Sequence, residues 1–182
     1  MKLKFLCLLL VTVVLLTFVS CKQNNGNNLD EEKIFGNVIS TTDNGFEFQD
    51  IEWMSKQAVI KEKVPEASYE EKLSRFKTQD KYDDKEIIVL YTMQDDQFCS
   101  GEFLIKFDKE SDYELYLSKM KEQAEDFFKV QPMSNSLDDL LDGKEASWEG
   151  KDKSYVRISP FGEGDFYENT ISIKVEAPKD TK

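Results

Sequence analysis

The chain has 182 residues, of which 40% are hydrophobic and 12% aromatic, so it is expected to fold as one ordinary globular domain and not to be a disordered chain. Its formal net charge of −12 argues against nucleic-acid binding, which needs a basic face to displace counterions. The absence of histidine excludes catalytic triads, Cys–His pairs and histidine-ligated metals.

A signal peptide is predicted at the N-terminus. Two lysines, at positions 2 and 4, precede an apolar run of 15 residues from Phe5 to Val19, which is shorter than the ~18–20 residues of a membrane-spanning helix. The run ends in Phe18-Val19-Ser20-Cys21, which resembles the lipobox of bacterial lipoproteins. That resemblance implies cleavage before Cys21 and acyl chains on this cysteine. An ordinary secretory signal or a short membrane anchor is the alternative.

A polar tether is predicted between the anchor and the domain. Residues 22–28 are rich in asparagine, glycine and glutamine, a composition that stays flexible. We therefore expect a signal peptide over 1–20, a tether over 21–33 and a single domain over 34–178, with the membrane contacted through acyl chains on Cys21. The processed chain would carry 22 basic and 36 acidic residues, a formal charge of −14. This excess of acid should keep the domain away from an anionic leaflet.

The first half of the domain is predicted to contain two strands and two helices. Asn44-Gly45 is a strong hairpin turn, and a bulge near Gln49-Asp50 would bring the apolar residues that follow it to the core. In chain order, the predicted elements are a strand over 34–40, a strand over 45–53, a helix between Ser55 and Pro65, a helix over 68–76 opened by a capping box, and a charged loop over 77–85.

The second half is predicted to contain most of the sheet and the longest helix. The strand predicted over 86–93 contains a continuous apolar run from Ile87 to Tyr91, which is typical of a central strand covered on both faces, and 98–107 returns beside it. A helix is predicted from Ser111 to about 130, then a capped single turn over 136–141. Strands over 145–149, 154–159 and 166–176 complete the chain. The last of these strands alternates apolar and polar residues, so one of its faces should be exposed to solvent.

Cys99 is the one cysteine that remains after Cys7 and Cys21 are accounted for, so no internal disulfide is expected. Its sequence parity with Phe103, Ile105 and Phe107 predicts a buried structural thiol.

The order of elements predicts an α+β fold, an antiparallel sheet with helices packed on one face. The stretch from Phe48 to Ser55, with Val59 four residues later, is similar to the opening of many small bacterial envelope proteins, although Met54 stands where those have glycine. A hairpin, a long helix and a strand containing Trp148 follow. The broader pattern resembles BamE and beta-lactamase-inhibitor-like modules, and this resemblance implies binding of proteins without catalysis. It assigns no site residues.

Acidic residues are the first candidates for a chemical site. The adjacent pairs Asp83-Asp84, Asp95-Asp96 and Asp138-Asp139 lie in predicted turns or at a helix start, where solvated carboxylates are the rule. Asp138 and Asp139, with Asp142 and Glu145, also suggest calcium, but they miss the spacing of an EF-hand. We therefore expect neither a metal nor another cofactor.

The segment from Pro160 to Tyr167 is the candidate binding loop. Phe161, Phe166 and Tyr167 surround the turn Gly162-Glu163-Gly164-Asp165, and aromatic side chains beside a flexible turn can anchor a partner. Packing into the core is the alternative, especially for Phe166.

Two functions remain open from the sequence. The first is a membrane-tethered lipoprotein of the cell envelope that binds an envelope or secreted protein through its sheet face and the aromatic loop. The acidity of the chain favours a basic partner. The second is a carboxylate-based hydrolase or ligand-capturing lipoprotein, which would need a deep pocket with a burial-shifted acid. A solid core with a flat exposed face would favour the first.

Overall fold

The computed structural model describes residues 33–82, 85–160 and 169–179. Within these ranges the chain forms an antiparallel seven-stranded sheet, a two-stranded hairpin and three helices. The α+β class is as predicted. Cys21 and residues 161–168 lie outside the described residues.

The described elements are short at the start of the domain and longer in its middle. The helices are α1 (Ile34–Val38), α2 (Gln57–Lys63) and α3 (Glu110–Phe128), with 3₁₀ turns at Glu71–Leu73 and Asp138–Leu140. The strands are β1 (Ile39–Thr41), β2 (Phe46–Phe48), β3 (Ser68–Glu70), β4 (Arg75–Tyr82), β5 (Lys85–Gln94), β6 (Gln97–Phe107), β7 (Ala146–Glu149), β8 (Tyr155–Ser159) and β9 (Thr170–Glu176).

The large sheet has the order β3-β4-β5-β6-β9-β8-β7, and every neighbouring pair is antiparallel. Successive side chains of a strand point to opposite faces, so the register defines an inner and an outer face. Val89, Phe103, Ile173 and Ile158 are aligned across four strands and belong to the core, so their side is the inner face.

Helix α3 covers the inner face because its apolar residues recur at helical spacing. Tyr116, Leu117, Met120 and Ala124 are buried along it. At its C-terminal end the Phe128 ring stacks on Trp148 of β7, with ring centroids 3.9 Å apart. The helix therefore covers the core from the centre of the sheet to the edge strand β7.

The hairpin of β1 and β2 packs on the same inner face. Phe48 is fully buried, and it lies directly over Gly101 of β6, where an added Cβ would come within 2.1 Å of its ring. The Phe48 ring also meets Tyr91 edge-on, with centroids 5.6 Å apart. All the described helices and this hairpin thus lie on one side of the large sheet, in agreement with the predicted architecture.

The predicted strand over 34–40 is wrong for most of its length. Residues 34–38 form α1, and only residues from Ile39 onward are extended. Ile34, Phe35 and Val38 are all buried, which one turn of helix allows and an alternating strand would not. The hairpin turn before Gly45 is confirmed. The second strand ends at Phe48, because both Gln49 and Asp50 have positive φ and turn the chain there.

The predicted helix over 68–76 and the charged loop over 77–85 are also wrong. These residues form β3, a 3₁₀ turn and β4. Phe76 and Thr78 alternate with charged residues and are buried on the inner face, a period of two that outweighs the local capping box. The predicted cap is replaced by a hydrogen bond in which the Ser68 hydroxyl donates to the Lys77 carbonyl oxygen at 3.3 Å.

The remaining predicted elements are confirmed within a few residues, but neither Ser55 nor Ser111 caps the helix that begins beside it. Lys56 and Lys109 occupy the N-cap positions of α2 and α3, and neither makes a side-chain cap hydrogen bond. The residues of β5 from Ile87 to Tyr91 are buried or half-buried on both faces of the sheet, and Leu90 on the outer side is only 5% exposed. The described helices and the hairpin pack on the inner side.

Candidate functional site

The predicted lipidation and loop residues cannot be placed in the fold. Cys21, Phe161, Phe166 and Tyr167 all lie outside the described residues. The described residues on either side of the loop are fixed at the end of the sheet where α3 begins. The Tyr113 hydroxyl donates to the Pro160 carbonyl oxygen, and the Phe107 N–H donates to the Asn169 carbonyl oxygen at 3.0 Å. The loop therefore connects two points beside the start of α3.

The described acidic pairs have structural roles. Asp95 and Asp96 both have positive φ and form the tight turn between β5 and β6, where aspartate is well tolerated. Asp138 binds Lys121 of α3, and Asp139 binds Lys144. Lys144, followed by Ser136, lowers the pKa of the Asp139 carboxyl below its usual range, because both stabilise the ionised form.

This arrangement does not bring the calcium candidates together. The ammonium groups of Lys121 and Lys144 pair with the carboxylates of Asp138 and Asp139, respectively. Among the described residues, no three acidic or cysteine side chains converge as metal ligands would. Asp83-Asp84 and Gly162 to Asp165 lie outside the described ranges.

An apolar cavity of about 150 Å³ lies beside the Phe128–Trp148 stack, with Phe46, Val130 and Met133 in its walls. One carboxylate, Glu149, lines it, and this group is paired with Lys153 at 2.6 Å. A carboxylate hydrolase needs two acids across a cleft. The cavity does not supply them.

Cys99 is only half-buried, so the prediction that it packs with Phe103, Ile105 and Phe107 is wrong. The register shifts between Thr92 and Met93, which pair with Ser100 and Phe98, and Cys99 is the extra residue of a β-bulge. Phe98 takes the inner position and is fully buried. The Cys99 thiol donates to the Thr92 carbonyl oxygen at 3.4 Å, and partial burial raises its pKa.

The outer face of the large sheet lies opposite the described helices and the hairpin. Its middle is apolar, with Ile88 half-buried and Leu90 and Leu104 buried at 5% and 2% exposure. Lys77 and Glu102 pair with Leu90 across the strands, so their alkyl stems shield it from the side. Neither leucine belongs to the core cluster on the other side of the sheet.

Charges of both signs surround this apolar middle in nearly equal number. The register places the following charged residues on the outer face: basic Arg75, Lys77, Lys81, Lys106, Arg157 and Lys174, and acidic Glu70, Glu86, Glu102, Glu149 and Glu176. Several are paired, for example Arg75 with Glu70 at 2.5 Å and Arg157 with Glu176 at 3.6 Å. The outer face is therefore close to neutral on a strongly acidic chain.

Sequence reasoning predicted one solvent-exposed face for the last strand but did not predict the extent of the outer face of the sheet. The alternation of Ser172, Lys174 and Glu176 was the available signal, and the register extends it over seven strands. The sequence predicts a loop at the lysines of β4, so it does not place them on the outer face.

Comparison with protein-family models, curated proteins and solved structures found no significant match for this chain. None of the helices in the described ranges combines the length and apolar character needed to cross a bilayer. The function is therefore argued from the geometry of the chain itself.

Proposed function

We propose that this protein is a membrane-tethered lipoprotein of the cell envelope that binds another protein through the outer face of its large sheet. The observation that carries the proposal is that, among the described residues, the helices and the small hairpin all pack on the inner face of the seven-stranded sheet and none of them packs on its outer face.

The dimensions of the outer face support this role. Seven strands spaced about 4.8 Å apart span roughly 29 Å, and with ~20 Å along the strands the face has on the order of 600 Å². A standard protein interface buries about 800 Å² on each partner. The outer face with its rim is close to that size.

The chemistry of the outer face also resembles that of an interface. Ile88 is the accessible part of an apolar centre whose other members, Leu90 and Leu104, are already buried, and hydroxyl groups and paired charges surround it. Because the charges are nearly balanced, a partner need not be strongly basic to approach this face, although the acidity of the whole chain would steer a basic partner faster at low salt.

The alternative of a carboxylate hydrolase or ligand-capturing lipoprotein has less support. The described acidic pairs lie in turns or bind lysines, and the apolar cavity beside Trp148 contains one carboxylate that is already paired. No observation on the described residues favours this second function.

Site-specific photo-crosslinking tests the proposal in intact cells. A photoreactive phenylalanine analogue is placed at Ile88 or Thr92 on the outer face, or at Ala58, which is exposed on α2 on the other side of the sheet. We expect one and the same protein to be crosslinked from Ile88 and Thr92 and not from Ala58. Crosslinks from Ala58 alone, or none from the outer face, would contradict the proposal.

A further inference from the structure

We propose that the groove between α3 and the 3₁₀ turn Asp138–Leu140 is a second binding site, which takes a basic segment of a protein that carries an apolar side chain. This site goes beyond the proposed function, because the groove lies on the helix side of the sheet and the outer face on the opposite side.

The groove has an apolar floor. It is an open depression of about 470 Å³ lined by Tyr113 and Leu117 of α3 and by Leu141 after the 3₁₀ turn. Leu117 is buried, whereas Leu141 is 51% exposed although it is a large apolar residue. A leucine so exposed beside a depression offers an apolar contact to an incoming side chain.

The rim of the groove is acidic. Glu114 on α3 and Asp142 on the turn face the same depression. Neither forms a salt bridge with any described residue, although the Lys144 ammonium, whose pKa is raised first by Asp139 and also by Asp142, lies near the rim. The lining contains no lysine or arginine. The charge of the groove therefore selects a positively charged occupant.

The two sides of the groove are held in place by contacts outside it. The Lys121–Asp138 ion pair ties α3 to the 3₁₀ turn, and the Asp139 carboxylate accepts hydrogen bonds from the Ser136 N–H and hydroxyl at 2.7 and 2.6 Å. Tyr113 is fixed by its hydrogen bond to Pro160. A groove that is already formed costs less to occupy than one that must be ordered on binding.

These features specify the chemistry of the occupant. An aliphatic or aromatic side chain would cover the exposed Leu141, and lysine or arginine residues on either side of it would meet Glu114 and Asp142. The apolar contact would provide affinity and the charges would provide rate and selectivity.

A peptide-binding experiment tests this proposal. The full-length chain in a nonionic detergent is titrated at low salt into the labelled peptide acetyl-KKLFKK-amide, with acetyl-KKSSKK-amide as the apolar control, and binding is followed by fluorescence anisotropy. We expect the first peptide to bind more tightly than the second and its affinity to fall as salt is added.

Matched variants separate the groove from the general acidity of the chain. Glu114→Gln/Asp142→Asn should weaken binding by about fivefold, as the loss of two partly exposed charge contacts does. Glu122→Gln/Glu125→Gln makes the same change in net charge on exposed α3 residues outside the lining and should leave the affinity within about twofold. Leu141→Ser should reduce the preference for the leucine-containing peptide. Urea unfolding of each variant identifies losses that come from folding.

Three results would overturn the proposal: no binding by the unmodified chain, equal losses in the two charge variants, or equal affinity for the two peptides. Crosslinking from the outer face is unaffected by any of them, so the two sites are tested independently.

Discussion

Met54 holds a backbone conformation that usually selects glycine. Its φ is 65°, its N–H donates to the Phe98 carbonyl oxygen at 3.0 Å, and the Phe98 N–H donates to the Ser55 carbonyl oxygen at 2.9 Å. The chain therefore makes a tight turn in which methionine holds a left-handed conformation. The turn aligns Trp53 with Phe98, and their rings stack with centroids 5.1 Å apart.

Cys99 illustrates how one inserted residue changes the environment of a side chain. Partial burial raises the pKa of its thiol, while the Lys174 ammonium lowers it and the Glu176 carboxylate raises it. Only the thiolate reacts with alkylating reagents, so a raised pKa slows the reaction near neutral pH.

We predict that Cys99 reacts with iodoacetamide in the native protein, more slowly than in urea, and that its rate rises with pH. In a Cys7→Ser/Cys21→Ser background, Lys174→Gln should slow the reaction because the thiol pKa rises, and Glu176→Gln should accelerate it because the pKa falls. The measurement is labelling by mass spectrometry over time. Complete protection in the native state, or equal rates in both variants, would show that the thiol is buried away from these charges.

The packing of the small hairpin on the large sheet depends on one position without a side chain. Gly101 lies on the inner face of β6 under the Phe48 ring. The hairpin brings Phe48 into contact with Tyr91 and Phe98, so an atom added at Gly101 would push β2 away from the aromatic cluster.

We expect Gly101→Ala to lower the free energy of unfolding by about 1–3 kcal/mol, because the core there has no space for a methyl group. Gly36→Ala is the matched control. Gly36 is exposed in α1 with nothing near its added Cβ, so alanine should stabilise that helix by ~0.5–1 kcal/mol.

Urea unfolding measures both changes. Adding Phe48→Leu to Gly101→Ala should recover part of the lost stability. If Gly101→Ala is neutral, the hairpin does not pack on β6 as described.

Across the whole molecule the acidic charge is unevenly distributed. The outer face is close to neutral, whereas the helix side carries acidic residues along α3 and around the 3₁₀ turn at Asp138. Such a distribution steers a basic partner to the helix side first and leaves the outer face available for contacts that depend on shape and apolar area.

The predicted membrane attachment also concerns the whole chain. We predict that mass spectrometry of the purified protein finds acyl chains on Cys21 as the first residue of the processed chain. Cys21→Ser should lack lipid and either keep its signal peptide or leave the membrane fraction. Cys99→Ser should remain lipidated, since that thiol belongs to the folded domain. An unmodified chain without lipid would refute the predicted anchor.

The fold class and most elements after residue 85 were predictable because their apolar patterns are long and regular. The run over 86–93 and the helical stripe of α3 each repeat over several turns or residue pairs, so local preference and tertiary packing agree. The alternation of β9 predicted the strand, but the expected solvent-exposed face is wrong, since Ser172 is buried and Lys174 and Glu176 are half-buried. The signal peptide and lipobox resemblance also depend on local sequence, and they stay predictions.

Tertiary structure decided what local patterns left ambiguous. Residues 68–82 carry a helical cap sequence, but pairing of β4 with β5 buries Phe76 and Thr78 and outweighs it. The bulge at Cys99 is set by the register of β5 against β6, which no local pattern of one strand encodes.

The two proposed binding surfaces likewise depend on which residues from distant parts of the chain meet. Lys77, Leu90 and Lys174 share one face only after four strands pair, and Glu114 meets Asp142 only after the 3₁₀ turn docks on α3. The sequence by itself determined the class of the fold, the acidic charge and the exclusion of histidine chemistry, because these follow from composition and periodicity. The assembled sheet alone decided which side chains face solvent together, because that depends on register and on which face the helices cover.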